Sequence, residues 1–142
     1  GIPTFAPEHF ARVRQVDTMK RKQFIKGISQ IAQEGAIQIF QEFNTGMEEI
    51  IVGVVGVLQF DVLKYRLENE YRVDIRMDTL PYEHIRWIEN EDIDMDRLTG
   101  TSDMKKIKDL KDRPLLLFVN DWSIRLVQER NPGLILSEFG RS

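Results

Sequence analysis

Two histidines, His9 and His84, no cysteine and 23 Asp and Glu side chains are the raw material for chemistry in this chain. Without cysteine, thiol catalysis, disulfides and Cys-based zinc or iron–sulfur sites are excluded. Two histidines cannot build an all-histidine metal site, and neither sits in a motif that would activate a serine nucleophile. No two carboxylates are isolated in an apolar stretch that would split their pKa values. Asp92, Asp94 and Asp96 stand at the first, third and fifth positions of a calcium loop. The sixth, which must be glycine for the sharp turn, is Arg97, and the twelfth is Asp103 instead of glutamate, so a solvated acidic loop fits better. Gly53-Val54-Val55-Gly56 follows a strand and opens a helix, the setting of a phosphate cradle. The third glycine of a dinucleotide fingerprint is missing, no Gly-Lys-Ser/Thr follows, and a KH-type loop would lie between helices. Small residues that let the helix pack closely on the sheet account for the string. As read, the chain is not an enzyme.

Charge is the feature that survives. Residues 1–35 hold six Lys and Arg against three Asp and Glu, residues 36–112 ten against seventeen, and residues 113–142 four against three. A chain of net charge −3 does not bind DNA or other nucleic acid through bulk charge. A local patch is different, because salt screens only beyond ~8–10 Å. Arg12, Arg14, Lys20, Arg21, Lys22 and Lys26 cluster with Asp17 as the one acid between residues 12 and 33, and they are the candidates for phosphate contact. The same count also describes an ordinary wet helix face. His9 and Phe10 could stack on bases, although Phe10 equally suits a core, as do Trp87 and Trp122.

The elements that must position these groups follow from periodicity. Phe10–Val16 alternates as a strand, Asp17 is a helix N-cap, and Phe24, Ile25, Ile28, Ile31 and Ala32 form the buried stripe of a helix that Gly35 ends. Lys22 and Lys26 lie one turn apart on its wet face. Ala36–Phe43 is a strand, Asn44-Thr45-Gly46 a hairpin turn, and Glu49–Val55, apolar on both faces, the centre of an antiparallel sheet. A helix runs from Gly56 through Leu58, Val62, Tyr65 and Leu67 to about Glu70, and Arg72–Asp78 alternates as a strand. The order βαββαβ predicts an α+β fold: a ferredoxin-like plait over residues 1–80 with both helices on one face. After Pro81, residues 81–142 predict a smaller α+β lobe: a strand at His84–Asn90, an acidic loop at Glu91–Asp96, and a short helix spaced by Met104, Ile107 and Leu110. Leu115–Val119 follows as a buried strand, then a helix capped by Asp121 through Arg130, and a last strand Leu134–Phe139.

A chain of 142 residues and 42% apolar content is one ordinary domain, or a domain with a small lobe, able to support a core without staples. Its longest apolar run, Ile50–Leu58, falls well short of the ~20 residues of a membrane span. The start does not read as a signal peptide, and the cytoplasm is the expected compartment. Gly1 in place of methionine points to a piece of something longer.

Specific strings then carry a resemblance. Phe5-Ala6-Pro7-Glu8, Gln33-Glu34-Gly35-Ala36 and Val52-Gly53-Val54-Val55-Gly56-Val57-Leu58-Gln59-Phe60-Asp61-Val62 resemble the C-terminal domain of the bacterial peptide chain release factor 3 family. Arg66-Leu67, Glu70-Tyr71, Arg86-Trp87 and Gln128-Glu129-Arg130 follow at matching places. The longest string is also similar, more loosely, to the third domain of elongation factor G, a ferredoxin-like module. The likeness is strongest over residues 5–80 and weak over 91–113, where the acidic loop departs from the family.

The resemblance implies a domain of a translational GTPase that helps class I release factors leave the ribosome after termination. GTP and magnesium would then belong to a separate G domain followed by a β-barrel domain, with no cofactor bound by this chain. The implied partners are the ribosome (rRNA and small-subunit proteins), indirectly the class I release factors, and the chain's own G and β-barrel domains, but no membrane and no DNA. The resemblance assigns no roles to the six cations individually; those rest on charge placement. From the fold alone, a small-molecule-sensing regulatory domain is the alternative, and a bare oligomerisation module a third possibility.

Overall fold

A computed structural model describes residues 5–139. Their order is β1 (His9–Gln15), a 3-10 turn (Thr18–Lys20), α1 (Arg21–Gln33), β2 (Gln38–Glu42), β3 (Glu49–Val54), α2 (Leu58–Glu70) and β4 (Ile75–Leu80). β5 (His84–Ile88), a 3-10 turn (Met95–Arg97), β6 (Met104–Asp109), β7 (Pro114–Phe118), α3 (Asp121–Arg130) and β8 (Leu136–Ser137) complete it. The fold is α+β. One sheet runs in the order β4-β1-β3-β2-β6-β7-β5-β8, and its pairs are antiparallel. The turn after Asn44, whose φ is 74°, sets β2 against β3 in the register Gln38↔Gly53 to Phe40↔Ile51.

Alternation along the strands sorts side chains onto two faces. Ala11, Val13, Ile39, Ile50, Val52, Val54 and Ile75 meet Phe24, Ile28 and Ile31 of α1 and Phe60, Leu63 and Leu67 of α2 in one core. The neighbouring residues Phe10, Phe40 and Ile51 point the other way, into a second core with Ile85, Trp87, Ile107, Leu115 and Leu117. No helix contributes to that cluster, yet Ile107, Leu115 and Leu117 are wholly sealed from water. Strands from both halves of the sheet cover these residues, with Ala6 and Tyr82 packed against them, so the sheet curls over itself. α3 closes a third core with Leu116 and Phe118, on the opposite side of β7.

Several sequence expectations shift here. Met104, Ile107 and Leu110 do not space a helix: residues 104–109 form β6, paired on one side with β2 and on the other with β7. A central strand must fill the gap between two partners, and that tertiary demand overrides a weak three-residue spacing. Trp122 is 57% exposed, whereas Trp87 is buried. The cap of α3 is Asn120, whose Oδ1 accepts from Ser123 N at 2.9 Å, and the last strand shrinks to β8. Asp17 caps the 3-10 turn, accepting from Met19 N, and α1 starts only at Arg21. Of the residues read along α2, Leu67 alone is buried; Leu58, Val62 and Tyr65 face water.

The glycines separate by what they admit. At Gly53 an added Cβ would meet Pro7 Cβ at 2.8 Å and the Phe10 ring at 3.1 Å, so this residue admits the N-terminal segment and not a helix. The close helix contact is at Gly27, where a Cβ would meet Leu67 Cδ2 at 2.7 Å and Tyr71 Cγ at 2.9 Å. Gly27→Ala should therefore cost about 1–3 kcal/mol through overpacking between α1 and α2. Gly56 has nothing within 4 Å, and Gly56→Ala should stay within about 0.5 kcal/mol of the parent. Urea unfolding of both variants checks the pair, and equal stabilities would remove Gly27 as the packing constraint.

Candidate functional site

The six candidate cations divide between two faces of the molecule. Arg12 and Arg14 alternate with Ala11 and Val13 on β1, so they lie on the face away from α1 and α2. Arg12 is neutralised there: Nη2 donates to Glu42 at 2.8 Å, and Nε stands 3.2 Å from Glu49. Arg14 is exposed and lies directly across from Glu49 on β3 and Arg76 on β4, with no ion pair among the described residues. Two like charges opposite each other in a ladder repel, so Arg14 and Arg76 make a small cationic spot. Arg76 is the partner that sequence reasoning missed; pairing the alternating strands in register would have found it.

Lys20, Arg21, Lys22 and Lys26 lie on the helix side. Lys20 occupies the N-cap position of α1 without a side-chain capping bond, and the first turn carries no acid. Arg21 reaches only to 3.8 Å from Glu48. Lys22 and Lys26 are exposed, and neither has an ion pair among the described residues. A helix N-terminus already carries about half a positive charge, so each further cation there costs roughly 0.3–1 kcal/mol. The start of α1 is thus a positive pole, where Arg21 has only its long pair with Glu48 and Lys20, Lys22 and Lys26 have no ion pair among the described residues.

Elsewhere charge is structural. Arg66 donates through both Nη atoms to Glu34 at the C-cap of α1 and through Nε to Glu70, 3.0 and 3.1 Å away. Its guanidinium holds the Glu34 carboxyl below the usual carboxylate range, and the two carboxylates raise the Arg66 pKa. Glu42 receives Lys105 Nζ at 2.5 Å as well as Arg12. Burial pushes the Glu42 carboxyl up, but the bonds from Lys105 and Arg12 outweigh it and leave it lowered.

The other candidates stay apart from any shared site. Phe10 is core, at 1% exposure, while His9 is exposed. His84 Nε2 lies 3.8 Å from Asp121. In the acidic loop, Asp94 accepts from Asp96 N at 3.1 Å and stands 3.5 Å from Arg97. Among the described residues no group of three or more His, Asp or Glu is placed to hold a metal, and no helix is long and apolar enough to cross a membrane.

The exposed cations thus sit on both sides of an α+β domain. Among known families, residues 1–128 fit the model described as Class II release factor RF3, C-terminal domain. Peptide chain release factor 3 of Symbiobacterium thermophilum is 49% identical over 135 residues, 95% of this chain and 25% of that protein. The proteins of the same name from Streptococcus thermophilus and Listeria welshimeri are each 42% identical, over 96% and 97% of the chain and 26% of their own length. The chain belongs to the class II release factor C-terminal domain family. It spans about a quarter of the length of the curated relatives it matches.

Glu42 gives a pH prediction. Its lowered native pKa means that it contributes stability above the unfolded value of about 4.5, and that this is lost as pH falls through the native value. Glu42→Gln should cost about 1–3 kcal/mol near neutral pH, because Arg12 and Lys105 lose a charged acceptor. The gap between variant and parent should close below pH 4.5. Urea titrations at several pH values read this, and a gap independent of pH would mean that the Glu42 charge is not what holds the network.

Proposed function

We propose that this chain is a ribosome-docking domain acting in translation termination, within a GTPase that promotes dissociation of class I release factors. On this reading the chain itself is not catalytic, and GTP and magnesium are bound by a G domain elsewhere in the full-length factor. A β-barrel domain lies beside that G domain, and the setting is the cytoplasm. Family membership supports the termination setting, since the relatives are named peptide chain release factor 3.

The observation that carries docking is the cationic pole of α1. Lys22 and Lys26 stand exposed one turn apart beside Lys20 and Arg21, at a helix start that has no acid in its first turn. Fixed cations on a rigid element are what an rRNA phosphate backbone recognises, because each contact releases condensed counterions. Lys20, Arg21, Lys22 and Lys26 form the principal contact in this reading. Arg14, with Arg76, offers a second contact on the opposite face. Arg12 is engaged by two glutamates and acts by holding the sheet.

The double variant Lys22→Glu/Lys26→Glu should bind purified ribosomes more weakly, with the largest loss at low salt. The slope of log affinity against log salt should flatten by roughly 0.7–0.9 for each phosphate contact removed. Cosedimentation across a salt series measures both. Binding that is unchanged at every salt concentration would remove the α1 pole from the interface.

A further inference from the structure

Among the described residues the sheet ends on β4, which pairs with β1 alone. One edge of this six-residue strand therefore has no neighbouring strand, while the opposite end of the sheet, β8, is only two residues long. An open edge is a template for another strand, and proteins blunt it by shortness or by charge. β8 is short. β4 instead carries Arg76 and Asp78, both exposed, and neither has an ion pair among the described residues. They stand across from Arg14 and Arg12 on β1, on the face away from α1 and α2, while Met77 between them packs against the helix-covered core. Arg76 thus meets a like charge, and Arg12, the cation opposite Asp78, is already held by Glu42 and Glu49.

The order of these two charges selects the occupant of the edge. Two copies of one strand related by a twofold axis in the sheet run antiparallel, so each residue faces one fixed residue of the other copy. With the axis at Met77, Arg76 faces the partner's Asp78 and Asp78 faces the partner's Arg76, two opposite-charge cross-strand pairs. Moving the axis by one residue sets Arg76 against Arg76 or Asp78 against Asp78, which repels. Moving it by half a residue leaves both charges across from uncharged side chains and pairs residues of opposite faces. The register centred on Met77 alone is attractive, and in it the charges that keep other edges away become the contact.

We propose that this chain forms a twofold dimer in which β4 of one copy pairs antiparallel with β4 of a second, centred on Met77. A single strand pair buries less than the ~1,200 Å² at which standard interfaces begin, so the dimer is weak and reversible. It engages Arg76, so on the docking reading it is a form of the free chain and not of the bound one. The inference itself does not depend on that reading.

Equilibrium sedimentation of the parent chain at rising concentration should show a monomer–dimer equilibrium. Arg76→Asp and Asp78→Arg each set like charges across the axis, and each should lower dimer affinity about tenfold or more. An equimolar mixture of the two variants should regain it, because every charge then faces its opposite. The chain has no cysteine, so Met77→Cys reads the register directly. Cα atoms ~4.5–5.5 Å apart across an antiparallel pair suit a disulfide, and mild oxidation should link two copies. The cysteines of Thr79→Cys would lie ~13 Å apart along the strands and should stay reduced. Thermal melts establish that each variant is folded, and should Met77→Cys not fold, the charge mixture decides alone. A parent that stays monomeric at every concentration overturns the proposal. So does a mixture that regains nothing, or a Thr79→Cys chain that links as readily as Met77→Cys.

Discussion

The seam between β2 and β6 is the constraint on which the rest depends. Phe40↔Asp109, Gln41↔Lys108 and Glu42↔Ile107 pair there, and they join the strands of residues 9–80 to those of residues 84–137. One face of the seam gathers long-range partners of two kinds. Phe40 and Ile107 enter the same helix-free core, while the Glu42 carboxylate gathers Arg12 from β1 and Lys105 from β6. A carboxylate shared by two cations in a half-buried site is stabilising only while all three remain in place. The curl of the sheet, the sealing of Leu115 and Leu117 and the position of Arg12 therefore stand or fall together.

Much of the fold was legible because it is written in short-range periodicity. The stripe Phe24, Ile28, Ile31 fixed α1, Asn44 with its positive φ fixed the β2–β3 hairpin, and two-sided apolarity placed β3 inside the sheet. What failed depends on partners far away in sequence. Residues 104–109 form β6 because β2 and β7 flank them. Trp122 and Trp87 look alike in sequence, but α3 packs through Ile124 and Val127 and turns Trp122 outward. On α2 two apolar stripes share one helix, and only the sheet beneath decides that Phe60, Leu63 and Leu67 face inward.

The candidate site was legible in composition but not in arrangement. Counting placed six cations in one cluster, whereas alternation on β1 sends Arg12 and Arg14 to the side away from α1. Glu42 lies thirty residues from Arg12, so no local count could show that Arg12 is neutralised. Arg76 was invisible as a partner of Arg14 until register set them opposite each other. Lys22 and Lys26 could be placed correctly because a helix face is a local property.

On the docking reading, α1 must present its cations from a fixed position. Unpaired cations act at a distance, raise encounter rates and weaken with salt. To engage a rigid particle, the helix that carries them must not drift against its neighbour. Arg66 fixes it, bridging Glu34 at the end of α1 to its own helix, while Gly27 lets the two helices approach to side-chain contact with Leu67 and Tyr71. An exposed ion pair adds little stability by itself. Its forked geometry, with one guanidinium meeting two carboxylates on two helices, instead restricts how far α1 can slide along α2. Position, more than energy, is what this bridge contributes.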